Sequence, residues 1–292
     1  MAGFANWGEV FAALTTDGRS QRLFFSKGST YIGSTVGVQC TTWAAATAGY
    51  GSPFPAGTFP TAGLGSAAVC LDSSTGGVPY TNPSGGRTMH LVSFQAGCLH
   101  TGSPTRGAIM LVDRICHANI SRNQATGNFS PALDATSRLA SGEGGQIFIE
   151  CSVALGTGNT DRTFTYTNEA GTASRTTASV KDGASQAYGE QIMDRATKPY
   201  GYFVELQAGD KGVRSIEACT LGTSGTATGE WCISIVRPLA IVLGHEAGGV
   251  YSMNAVDNLP PLPRIYDDTC FAMILNGSNN QAPFCSIVIA EN

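Results

Sequence analysis

Four histidines, nine cysteines and 21 acidic side chains are the groups from which this 292-residue sequence could build a reactive site. Cys98-Leu-His100 and Cys116-His117 place a thiol near an imidazole, the pairing that metal binding or thiol chemistry uses. A tetrahedral metal site needs a second such pair at a fixed spacing, and neither motif has one. Adjacent residues of a strand also point to opposite faces, which separates Cys116 from His117. These residues, with His90 and His245, are therefore expected in structural or surface roles. Asp267-Asp268 and Asp257-Asn258 could offer oxygen ligands to calcium. A solvated acidic turn after the Pro-rich stretch Leu259–Pro263 is the expectation there. Motifs for a nucleophile elbow, a zinc protease, a phosphate loop or a dinucleotide fold are missing. Asn119-Ile-Ser and Asn128-Phe-Ser match the glycosylation pattern by chance. No catalytic, cofactor-binding or metal residue is assigned, no cofactor is expected, and the chain is expected not to be an enzyme.

The cysteines are Cys40, Cys70, Cys98, Cys116, Cys151, Cys219, Cys232, Cys270 and Cys285. Their number is odd, none forms a Cys-x-x-Cys pair, and the opening Met1–Glu9 lacks the basic and apolar regions of a signal peptide. Reduced, mostly buried thiols are expected. A net charge of −4 and a pI near 5.5 provide no basic footprint for nucleic acid. The longest apolar run, Ile233–Leu243, is interrupted by Arg237 and Pro238, so no membrane span is expected.

The elements that must position these groups are mostly strands. One helix is expected near the start, where Trp7, Val10, Phe11 and Leu14 recur at helical spacing. Asn6 is its cap, Glu9 sits at the third helical position, and Asp17-Gly18 is the stop. Gln21–Ser26 and Thr30–Val38 read as short strands. Gly49–Gly65 and Ser73–Gly86 have no periodicity and carry Phe54, Phe59 and Tyr80, as an arm that orders against a neighbour would. Beyond Thr105 the chain becomes a series of strands: Ile109–Val112, Gln146–Val153, Thr163–Thr167, Thr172–Val180, Tyr202–Leu206, Arg214–Leu221, Trp231–Arg237, Cys270–Leu275 and Phe284–Ala290. Period-two alternation and Gly-rich turns argue for antiparallel pairing, not a βαβ sheet. The expected fold is all-β, an antiparallel β-sandwich, jelly-roll-like, with an extended loop-rich N-terminal region carrying one short helix. Residues 1–104 are expected to hold the helix, short strands and arm, and residues 105–292 the sandwich domain.

Charged residues make up 13% of the chain, against roughly 25% in a typical soluble domain. A surface so poor in charge stays soluble through Ser, Thr and Gly, or is covered by neighbouring subunits. Several stretches carry a family likeness: Phe11–Arg22, Leu111–Arg114, Phe164–Thr177, Leu206–Ile216, Val236–Leu239 and Leu262–Asp267. Together they resemble a group of virion structural proteins of tailed bacteriophages, over most of the chain. The resemblance implies a virion component on the capsid exterior, made in the bacterial host cytoplasm. A decoration (cement) protein that bridges capsomers is the leading reading, with the major capsid protein and further copies of itself as partners, as a homotrimer. A tail, collar or fibre-base protein is the structural alternative. A glycan- or receptor-binding module is another, with Trp43, Tyr50 and Tyr80 as exposed stacking platforms. The major capsid protein itself is less expected, since no long amphipathic helix is visible. Neither nucleic acid nor membrane is expected as a partner.

Overall fold

The computed structural model describes Phe4 and residues 6–15, 18–26, 39–43, 57–71, 77–99, 107–183, 186, 188–192, 201–225, 228–244, 250–254, 262–276 and 282–292. In chain order these form α1 (Trp7–Thr15), β1 (Ser20–Ser26), β2 (Gln39–Thr41), β3 (Ala68–Val69), β4 (Met89–Leu99), β5 (Gly107–Ser121), β6 (Gly127–Asp134), β7 (Gln146–Val153) and β8 (Asp161–Asn168). There follow β9 (Arg175–Thr176), β10 (Val180–Lys181), β11 (Val213–Leu221), β12 (Glu230–Gly244), β13 (Val250–Asn254), β14 (Arg264–Ile265), β15 (Phe271–Asn276) and β16 (Ala282–Glu291). The fold is all-β with one short N-terminal helix, and among the described residues every strand pair is antiparallel.

The strands make three sheets: β1-β16-β4-β13, β2-β15-β5-β12-β7 and β10-β8-β11-β6. Neighbours in a sheet are mostly far apart in sequence, so the chain crosses between sheets instead of meandering within one. This is the jelly-roll-like sandwich arrangement that the uneven strand spacing points to.

The middle sheet is organised around β5 and β12, the two longest strands, which pair along their whole length. One face of this pair serves two cores. Toward one end Ile115, Cys116, Ala118, Ile120, Trp231, Ile233 and Ile235 pack with Phe164, Tyr166, Ile216 and Cys219 of the β8/β11 sheet. Toward the other end Ile109, Leu111, Leu239, Ala240 and Val242 pack with Leu91, Phe94, Ile287 and Ile289 of the β4/β16 sheet. A register shift that leaves Ile115 unopposed in β5 marks the change from one core to the other.

The middle sheet also closes on itself. Cys151 N–H donates to Glu190 O (2.8 Å), Ile192 N–H to Ile149 O (2.9 Å) and Gln191 N–H to Gln39 O (2.8 Å). Residues 190–191 thereby bridge β7 to β2, through the pairs Glu150/Gln191 and Cys40/Glu190. Closure removes two exposed edges. It also creates an enclosed face, lined by Trp43, Met110, Val112, Phe148, Val236, Ala272 and Ile274.

The helix forms where the sequence reading places it, with Glu9 N–H donating to the Asn6 cap oxygen (3.1 Å). Its buried stripe is Val10 and Ala13 with Trp7 and Leu14, packed on Val288 and Ala290 of β16. Phe11, expected on that stripe, is turned out to solvent. Two further readings are corrected. Tyr202–Leu206 is not a strand: Val204 makes a single backbone bond to Ile147. Thr172–Val180 is strand only at Arg175–Thr176 and at Val180. Thr30–Val38 and the division at residues 104/105 lie outside the described residues. On either side of that division, β1 and β4 share one sheet with β13 and β16.

Candidate functional site

Charged residues embedded in apolar strands are the side chains for which burial demands a partner. β5 carries Asp113 and Arg114 in the run Leu111-Val-Asp-Arg-Ile-Cys, and β7 carries Glu150 between Ile149 and Cys151. Strand alternation turns Arg114 and Glu150 into the closed sheet, where Arg114 Nη1 donates to Glu150 Oε1 at 2.5 Å. Both side chains are fully buried, at 1% and 0% exposure. Thr41 Oγ1 donates to the other carboxylate oxygen from β2, which sheet closure brings alongside. The guanidinium lies over the Trp43 ring (4.7 Å to the centroid) and near Phe59 (5.8 Å). Its second arm donates to His117 Nδ1 (3.2 Å) and to Cys232 Sγ (3.1 Å).

The electrostatics follow from burial. Desolvation opposes the Arg114 charge, but Glu150, with Cys232 and Cys70, outweighs it and holds the group firmly protonated. His117 has the opposite balance: burial and then the adjacent Arg114 cation push its pKa down to about 2. Burial raises the thiols, Cys70 to about 11 and Cys151 to about 12, with Cys116 and Cys232 higher still. Protonated, enclosed thiols are poor nucleophiles, and an imidazole beside a fixed cation is a poor base.

Two more buried pairs lie outside the closed face. Asp113 sits between the two outer cores, where Arg138 Nη1 donates to it (2.6 Å) and the Cys270 amide donates to the same oxygen (3.0 Å). Beside it, Arg237 and Arg264 lie against the Tyr266 ring at 4.7 and 4.6 Å. Arg122 grips Asp182 with two bonds (2.8 and 2.9 Å) and also donates to the carbonyls of Gly156 (2.9 Å) and Gly158 (2.6 Å), tying the loop after β7 to β5. Trp231 Nε1 completes this set on Asp182 at 3.3 Å. Among the described residues these buried ion pairs are formed within the fold, where they brace strands and loops.

The residues singled out in the sequence fare differently. Cys116 faces the outer core and His117 the closed interior, as strand alternation requires. His90 is buried against Phe4 (ring centroids 5.5 Å apart) and contacts Leu262 O through Nδ1 (3.3 Å). Asp268 and Asn82 exchange hydrogen bonds of 3.1 Å, linking two segments far apart in the chain. His100, His245, Asp257 and Asn258 lie outside the described residues. Trp43, expected as an exposed platform for sugar, is 1% exposed and roofs Arg114, packed among the apolar side chains of the enclosed face. Tyr80 is half-buried and donates its hydroxyl to Tyr266 O. Tyr50 lies outside the described residues. Among the described residues, eight cysteines are buried free thiols. Asn119 is buried, with its amide on Glu230. Among these residues too, no group of three His, Cys, Asp or Glu side chains could hold a metal ion. The ion pairs were not singled out from the sequence, although a charge inside an apolar strand of a chain this poor in charge was a usable signal.

Large apolar side chains reach solvent at Phe11, Phe24, Val69, Leu71, Val153, Ile241, Leu243 and Val250. Among the described residues no helix is long and apolar enough to cross a membrane.

No protein-family model and no curated protein matches the chain. Among solved structures it is similar to the VP2 subviral particle of infectious bursal disease virus, at 9% identity, over 94% of this chain and 79% of that one, with a TM-score of 0.16. The Gx strain of the same virus matches at 10% identity over 94% and 78%, with a TM-score of 0.18. The Gt strain matches at 9% identity over 97% and 85%, with a TM-score of 0.17. With TM-scores of this size, the functional reading rests on the chain's own residues.

Proposed function

We propose that the chain is a non-catalytic structural component of a virus particle, and specifically a decoration (cement) subunit on the head of a tailed phage. The observation that carries this reading is the division of its side chains. The charged groups that converge are buried and paired within the fold, while large apolar side chains and a low-charge surface are left for contact with other subunits. A subunit that stabilises a shell needs a rigid body and apolar contact area, and many weak contacts per particle add up through multivalency. The bacteriophage assignment comes from the resemblance of the ordered motifs, from Phe11–Arg22 to Leu262–Asp267. The proposed partners are the major capsid protein and further copies of this chain, in a trimer on the capsid exterior.

A collar, tail or fibre-base position is served by the same composition. Quantitative mass spectrometry of purified particles separates the two. A decoration protein is present in numbers on the order of hundreds per head and a collar protein in about a dozen, following the symmetry of each station. Absence of the chain from the particles overturns both. A glycan-binding role has less support, because Trp43 is enclosed.

A further inference from the structure

β12 is paired on both sides only over its first half. β5 accompanies it from Glu230 to Gly244, but β7 stops at the pair Gln146/Val236. From Arg237 to Gly244 no described residue forms a backbone hydrogen bond with the other side of the strand. Leu239, Ala240 and Val242 are buried in the core beneath the β4/β16 sheet, so this half-strand is held firmly in extended form. Ile241 and Leu243 point the other way and are 46% and 60% exposed.

Exposed edges are normally blunted with charge or proline, because a row of free N–H and C=O groups recruits another strand. Most other edges follow that rule: β1 carries Arg22, β10 carries Lys181, and β6 carries Pro131 and Asp134; β13 is the exception, with the polar Ser252 and Asn254 in place of charge. The β12 edge has Pro238 only at its start. The six residues Leu239-Ala-Ile-Val-Leu-Gly244 that follow contain no charge and no proline.

We propose that this edge pairs antiparallel with the same edge of a second copy of the chain, about a two-fold axis. Water solvates such a backbone row, and an extended strand pairs with all of it at once, which makes another strand the partner that fits it best. Self-pairing needs one segment to be compatible with itself, which charged edges are not, since like charges meet across the axis. Residues 239–244 meet that condition. Centred on Ile241 or on Val242, the pair also brings Ile241 and Leu243 of both copies onto one face, where they cover each other.

The inference rests on the assembly reading and gives it a partner and a contact. Sedimentation or light scattering of the full chain across concentration is the test, comparing wild type with the Ile241→Lys/Leu243→Lys double variant. The expected result is pairwise association of the wild type, as dimers or as trimers joined in pairs through this two-fold contact, whose dissociation midpoint the double variant shifts at least tenfold toward higher concentration. Its thermal unfolding, measured at a concentration where both chains are monomeric, should match wild type, since both side chains are exposed. Amide exchange within residues 239–244 should slow as wild-type concentration rises. A wild-type chain that stays monomeric, or a double variant that associates like wild type, overturns the proposal. A monomer that still binds heads removes the edge contact and leaves the assembly reading standing; a dimer that binds no head does the reverse.

Discussion

At Arg114 and Glu150, removing one partner leaves a charge enclosed by Trp43, Phe148 and Val236 with no water to solvate it. Breaking a buried pair in this way costs about 3–5 kcal/mol, whereas replacing both members with apolar groups of similar size is far milder. Denaturant midpoints should therefore fall steeply for Glu150→Gln and recover much of the way in the Arg114→Met/Glu150→Met double variant. Equal losses in the single and the double variant contradict a matched internal pair. His117 makes the same environment readable by pH. Its folded pKa of about 2 lies below its ordinary 6.5, so the unfolded chain takes up a proton that the folded chain refuses. Stability is then unaffected above pH 6.5 and falls as the pH drops below it, by up to about 1.4 kcal/mol per pH unit for one proton. His90 is shifted downward by burial and acts with the same sign. Thermal melts from pH 7.5 to 5 should show this slope, and His117→Gln should flatten it; an unchanged slope contradicts a neutral, enclosed His117.

Among the elements, sheet closure depends on a few backbone bonds made by residues 189–192, outside any regular strand. The amides of Cys151 and Gln191 donate to Glu190 O and Gln39 O, and their hydrogen exchange should be as slow as that of the β5/β12 ladder. Rapid exchange at both would show that the sheet is open. This closure was not legible in the sequence, because it joins Gln39, Glu150 and Gln191, which share no local pattern. β7 was legible to its ends, since Gln146–Val153 alternates without interruption. β4, at 11 residues among the longer strands, was not read. A register shift between Leu91 and Ser93 inserts Val92, which packs toward α1 while Leu91 and Phe94 face the sandwich core, and the period-two signal is broken there. The converse happened at Tyr202–Leu206, where alternating residues lie against β7 without joining a ladder. The helix was legible from its cap, and three of the four residues expected on its buried face lie there; Ala13 rather than Phe11 is the fourth, because it fits against β16.

For the whole molecule, low charge was legible from composition alone, and among the described residues the fold takes nine of the chain's 38 charged side chains inside, while apolar residues such as Phe11, Phe24 and Ile241 reach solvent. Of the clusters that looked most chemical in the sequence, Cys116-His117 is separated by strand alternation, and Asp268 is hydrogen-bonded to Asn82. A rigid body with internal ion pairs and an uncharged strand edge suits a subunit that works by contact. In the proposed role, this contact stabilises a shell. The direct measurement adds purified chain to expanded heads assembled without it and follows both binding and the temperature at which the heads release their contents. The account predicts saturable binding and a higher release temperature. Heads that neither bind the chain nor change their release temperature would contradict it.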